Sequence, residues 1–176
     1  MPQFVNSYMK CLFWLMISEI LCFILTFSFA IINLPWVRYV SLVLSLLAHI
    51  LLMGNCGITL AKQYEVSYRR TKKQIHVVLP FLLSISTAIP LWLEWFILSC
   101  NPDSVAVFNI YLLLQAPFIQ IDRLLTEGSD TFSALSNIRK FSLALPPLIT
   151  VFSIFVPFMS HYQTEIASEN ARNVIS

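Results

Sequence analysis

Apolar residues run in five stretches along this chain, each closed by a short polar connection. The runs 12–32, 37–61, 77–98, 105–121 and 141–159 are dominated by Leu, Ile, Val and Phe. Extended to their polar edges, they predict helices over about 11–33, 36–61, 75–99, 105–127 and 141–160. Each is close to the ~17–25 residues a helix needs to cross a hydrocarbon layer ~30 Å thick. Lipid offers the backbone no hydrogen bonds, so an apolar run of this length closes its own as a helix. The expected fold is all-α: a polytopic helical membrane protein with one domain over 1–160 and a polar, fraying tail over 161–176.

The fourth stretch is the weakest of the five. It is the shortest and carries Asn109, Gln115, Pro117 and Gln120. Gly128 is well placed to stop a helix running from Val105 to Glu127, which favours a full crossing. A re-entrant segment, with four crossings in all, is the alternative. Between Ser129 and Lys140, Phe132, Leu135 and Ile138 recur at three-residue spacing behind a Ser129 or Asp130 cap, which predicts a short amphipathic helix on the membrane surface. Proline is concentrated in the later stretches, at 80, 90, 117, 146, 147 and 157, and predicts kinked packing there.

Composition narrows the class without changing it. Charged residues make up 11% of the chain, against ~25% for soluble domains, so no separate soluble domain is expected. A net charge of +2 gives no reason to invoke a nucleic-acid partner. The placement of the charges carries more. With five crossings, Lys10, Lys62, Arg69, Arg70, Lys72, Lys73, Arg123, Arg139 and Lys140 share one side, and Arg38 and Arg172 the other. Cytoplasmic loops collect Lys and Arg, so this reading puts the N-terminus in the cytoplasm and the C-terminus outside. The basic connection, with Lys62, Arg69, Arg70, Lys72 and Lys73, also suits anionic lipid headgroups.

Candidate chemistry is confined to a few polar residues inside the spans. Ionisable groups in hydrocarbon are costly and usually face the bundle interior. Glu19 and His49 fall at similar depths in adjacent antiparallel helices, and Asn55 lies closer still to the depth of Glu19, so Glu19 is expected to face His49 or Asn55. Glu94, between Trp92 and Trp95, is expected near the headgroups. Ser41, Ser45, Gly54 and Gly57 form a stripe of small residues suited to close helix packing.

The four cysteines show no Cys-x-x-Cys or Cys/His spacing, so neither a metal nor a disulfide is expected. No phosphate loop, His-Glu-x-x-His or Gly-x-Ser-x-Gly motif occurs, and no cofactor is expected. The expected role is therefore non-enzymatic: an accessory, assembly or regulatory subunit packed against other integral membrane proteins. A small transporter or lipid-modifying bundle with a Glu19/His49 site is the alternative.

Overall fold

The computed structural model describes residues 2–32, 35–71, 76–126 and 129–175, with the side chains of 4–32, 36–70, 76–126 and 129–168 placed. All regular structure among these residues is helical: α1 (Pro2–Ala30), α2 (Pro35–Thr71), α3 (Val78–Cys100), α4 (Val105–Leu114), α5 (Ile119–Leu125), α6 (Asn137–Ser142) and α7 (Pro147–Ile175). Four helical segments, over Phe4–Ala30, Trp36–Arg70, Val78–Cys100 and Asn137–Ser168, are long and apolar enough to cross a membrane. Phe13, Leu51 and Phe96 point outward at 62%, 70% and 58% exposure, while Ser18, His49, Thr87, Gln115, Asp122 and Thr150 are buried. An apolar exterior around a polar interior is what a lipid solvent selects, and the chain is consistent with a multi-pass helical membrane protein.

Contacts along the helices set their directions. Pairs Ser7–Tyr64, Cys11–Cys56, Ser18–His49 and Thr26–Ser45 run α1 antiparallel to α2. His49–Thr150 and the packing of Tyr64 on Phe158 run α7 parallel to α2. Phe81 meets Phe155, while the Trp92 and Trp95 indole N–H groups donate to Ala144 and Lys140 carbonyls, so α3 is antiparallel to α7. One end of the bundle therefore holds the start of α1 and the ends of α2 and α7 (the basic end); the other holds Cys100 and the start of α7.

The stretch 105–127, expected as one helix, is not one. Ser104 caps α4 by accepting a hydrogen bond from the Val107 N–H, and α4 then stops after ten residues. Residues 115–118 are non-helical, and Pro117 has no N–H to continue the ladder. At this break Phe118 sets its ring edge-on to His49, 5.1 Å between centroids, in the middle of α2. The chain then returns: the Ser133 N–H donates to the Pro102 carbonyl at the end of α3. In an open lipid setting such a break would strand backbone groups; here Gln115, Ala116, Pro117 and Phe118 are all buried in protein.

Three other expectations are corrected. The tail 161–176 does not fray from 161, because α7 continues to Ile175 and Tyr162 packs on Phe158 against α2. The basic connection after α2 is largely helix, as far as Thr71, with a Glu65–Arg69 ion pair one turn apart; Lys72 and Lys73 lie outside the described residues. The surface helix expected over 129–140 is replaced by turns and the short α6, capped by Ser136. Phe132 and Leu135 of its apolar stripe are buried with Leu98, Phe108, Tyr111 and Leu143, and Ile138 points away at 80% exposure.

The small-residue stripe divides between two contacts. Ser45 is bonded to Thr26 of α1, and Ser41 is buried with its hydroxyl unpartnered. Gly54 and Gly57 face α7, where a Cβ on Gly57 would overlap the Ile154 carbonyl oxygen. That close approach explains why glycine stands at 57, while Gly54 meets Pro157 and Ser153 of the same facing helix at ordinary contact distance.

Candidate functional site: a polar interior around a broken helix

His49 is fully buried and saturated. Its Nδ1 lies 2.8 Å from Ser18 Oγ on α1, and its Nε2 lies 2.8 Å from Thr150 Oγ1 on α7. A neutral imidazole has one N–H and one lone pair, and rotatable hydroxyls complement either tautomer. The ring thus ties α1, α2 and α7 together with no polar atom left over. The expected Glu19–His49 pairing is not formed, because the adjacent residue Ser18 takes the histidine. Asn55 is exposed on α2 and does not meet Glu19 either.

A second polar group lies toward the Cys100 end. Gln115, the first residue of the break, is 0% exposed and points its amide into α3. Its Nε2 donates to the Leu91 carbonyl at 3.0 Å and to Glu94 Oε2 at 3.0 Å. Glu94 therefore turns inward, while its neighbours Trp92 and Trp95 tie α3 to the chain ahead of α7. Glu94 is near enough to act electrostatically on both Glu19 of α1 and Asp122 of α5. Tyr111 of α4 borders the same group and donates its hydroxyl to the Leu143 carbonyl at 3.1 Å.

The acceptors here outnumber the donors. Glu19 Oε1, Gln115 Oε1 and both Asp122 oxygens are buried with no hydrogen-bond partner, and Asp122 is 0% exposed. Buried polar atoms are almost always satisfied, so these four oxygens stand out; Ser41 Oγ and His161 Nε2 are the other two buried side-chain atoms found without a partner among the described residues. Among the described residues, no set of three His, Cys, Asp or Glu side chains is close enough to hold a metal ion.

Of the residues singled out from sequence, Glu19 and Glu94 fall in this group. His49 sits beside it across Phe118, and Asn55, Gly54 and Gly57 lie elsewhere on α2. Lys62, Arg69 and Arg70 are exposed at the far, basic end of the same helix. Gln115 and Asp122 were not anticipated as site residues. The available signal was the density of Asn, Gln, Pro and Asp within one apolar stretch. Comparison with protein-family models, with curated proteins and with solved structures gives no match to this chain.

Proposed function

We propose that this protein is a small ligand-handling membrane bundle with an intramembrane site formed by Glu19, Glu94, Gln115 and Asp122. The observation that carries the proposal is the pair of unpartnered, fully buried Asp122 oxygens beside the Gln115 break. Irregular backbone and unpaired acids at membrane depth are costly, and they persist where a cavity, pathway or ligand compensates. A purely packing role would be met by apolar residues at lower cost. The test is a thermal-stability screen of the whole protein in mild detergent against small cations, anions and neutral solutes. One solute class should raise the midpoint in the parent chain and fail to do so in Asp122→Asn; a screen in which no class acts would overturn the reading.

The topology proposed with it has four crossings, α4 and α5 dipping in from one side and returning to it. The start of α1 and the end of α7 then share a side. That side carries Lys10, Lys62, Arg69, Arg70, Lys72, Lys73 and Arg172, and the other carries Arg38, Arg123, Arg139 and Lys140. The excess favours the first as cytoplasmic, with the exposed Lys62, Arg69 and Arg70 at anionic headgroups. Labelling of single cysteines placed at both termini checks it: five crossings would separate them.

A second reading, an accessory subunit of a larger membrane complex, is favoured by one observation. Asn55 is exposed on the same helix as the outward-facing Leu51, and an amide facing lipid is better satisfied by a partner helix presenting an amide or hydroxyl. A stoichiometric complex in mild detergent that dissociates on Asn55→Leu, with the isolated chain still folded, would support this role.

A further inference from the structure

We infer that the ligand of the Glu19, Glu94, Gln115 and Asp122 group is a cationic hydrogen-bond donor, a proton or a protonated amine; this rests on the ligand-handling reading above. The argument is one of donor and charge balance. The site presents carboxyl groups from α1, α3 and α5, and Gln115 has already committed its N–H donors to Leu91 and Glu94. What remains on Gln115 is an unpartnered acceptor oxygen, and Glu19 and Asp122 add three more. A ligand with acceptors or negative charge would add to the imbalance. One with N–H or O–H donors and positive charge removes both deficits at once.

The surroundings supply no internal substitute. On α1, Cys22 borders Glu19 and gives its S–H to the Ser45 carbonyl. On α2, His49 is held by Ser18 and Thr150, and α7 contributes that threonine to the polar interior. On α4, Tyr111 spends its hydroxyl on Leu143. Of the basic residues at this end of the bundle, Arg38 and Arg123 are exposed, and Lys140 Nζ donates to the Ser133 carbonyl. The Glu65–Arg69 ion pair lies at the opposite end.

The two sources of the cation differ in what they need. A proton occupies no volume and lets one carboxyl donate to another. A primary ammonium brings three N–H donors and a positive charge, and it can bind through one carboxyl and the Gln115 oxygen without a set of three converging carboxyls. A chelated metal is disfavoured by the spread of these side chains.

The experiment uses the full chain in mild detergent or nanodiscs and reads the thermal midpoint together with the infrared carbonyl band of protonated carboxyl groups. One arm lowers the pH from about 8 to about 5 in amine-free buffer; a second adds methylammonium at constant pH; potassium and glucose are controls. We expect acid or methylammonium to raise the midpoint by roughly 5 °C, the size of effect that a near-saturating ligand gives in a chain of this length. A midpoint that moves with acid and a carboxyl band that grows with it assign the proton. A midpoint that moves with methylammonium at constant pH assigns the amine.

Asp122→Asn and Glu19→Gln should each abolish most of the shift, and the pair guards against one variant failing to fold. Glu65→Gln, far from the site, should leave the shift intact. Stabilisation by potassium as strong as by methylammonium, with no response to acid, or by glucose alone would overturn the cationic-donor inference while leaving a ligand-handling bundle standing. A response to no solute would remove both. A shift that persists undiminished in Asp122→Asn and Glu19→Gln would remove this site as its origin.

Discussion

The two ends of the bundle are built on opposite principles. At the basic end, α1, α2 and α7 close on one another through Cys11, Cys56, Leu60, Ala61, Tyr64, Phe158 and Tyr162, and Gly57 admits the α7 backbone to near contact. The Cys11 and Cys56 sulfurs lie 3.7 Å apart, and Ser7 meets the Tyr64 hydroxyl at 3.3 Å. The Ser7–Tyr64 and Cys11–Cys56 contacts pair polar groups across α1 and α2 there, and His161 Nε2 is the one buried polar side-chain atom at that end found without a partner among the described residues. Toward the Cys100 end the helix is broken, Glu94 is matched by Gln115, and Glu19 Oε1, Gln115 Oε1 and both Asp122 oxygens are buried without donors. Close packing stabilises the first region, whereas the second keeps polar groups that packing alone would discard. Stability resides at one end and candidate chemistry at the other, joined by His49 and Phe118.

That contrast is open to attack by substitution. The largest effect is expected at Gly57→Leu, which forces a side chain into the Ile154 carbonyl of a facing backbone. Overpacking of this kind costs about 3 kcal/mol or more, and monodisperse folded protein should be largely lost in size-exclusion chromatography. Next comes Phe118→Ala at the joint. It empties a fully buried ring position and exposes one edge of His49, at about 3–5 kcal/mol, measurable as a lower thermal midpoint.

Smaller effects separate the two regions more finely. Gln115→Leu removes two donated hydrogen bonds and leaves the Leu91 carbonyl unpaired, for about 1–3 kcal/mol. Glu94→Gln keeps an acceptor for Gln115 and should cost less than about 1 kcal/mol while changing the site's charge. If Glu94→Gln proves as damaging as Gln115→Leu by thermal denaturation, the carboxyl is structural and the contrast between the ends weakens. Smallest of all, Gly54→Ala should stay within about 0.5 kcal/mol, since its new methyl meets Pro157 and Ser153 at ordinary contact distances. Equal sensitivity at 54 and 57 would show that the α2–α7 contact is not centred on Gly57.

Hydropathy and length, read along one dimension, were enough for the helical membrane class and for the apolar middles of α1, α2 and α3, whereas α1 begins at Pro2 and α2 continues to Thr71, beyond the expected 11–33 and 36–61. These depend on local quantities: a run of apolar side chains, the need to satisfy backbone groups in lipid, and the absence of breakers in α1. They also flagged Glu19 and Glu94. The fourth stretch had enough apolar length for a crossing, and only tertiary contacts settled its shape. Gln115 found Leu91 and Glu94, Phe118 found His49, and Ser133 found Pro102, so the chain turned back instead of continuing.

Pairing inside the bundle was equally beyond the sequence. Successive residues on a helix point about 100° apart, so depth alone cannot say whether Ser18 or Glu19 faces α2. Rotation of α1 about its axis decided for Ser18, and the same consideration turned Asn55 outward while Cys56 turned in. Composition and periodicity specify which segments become helices. The rotation and register of each helix against its neighbours, set by where Gly57 allows backbones to touch and where a break can be buried, specify which polar groups meet.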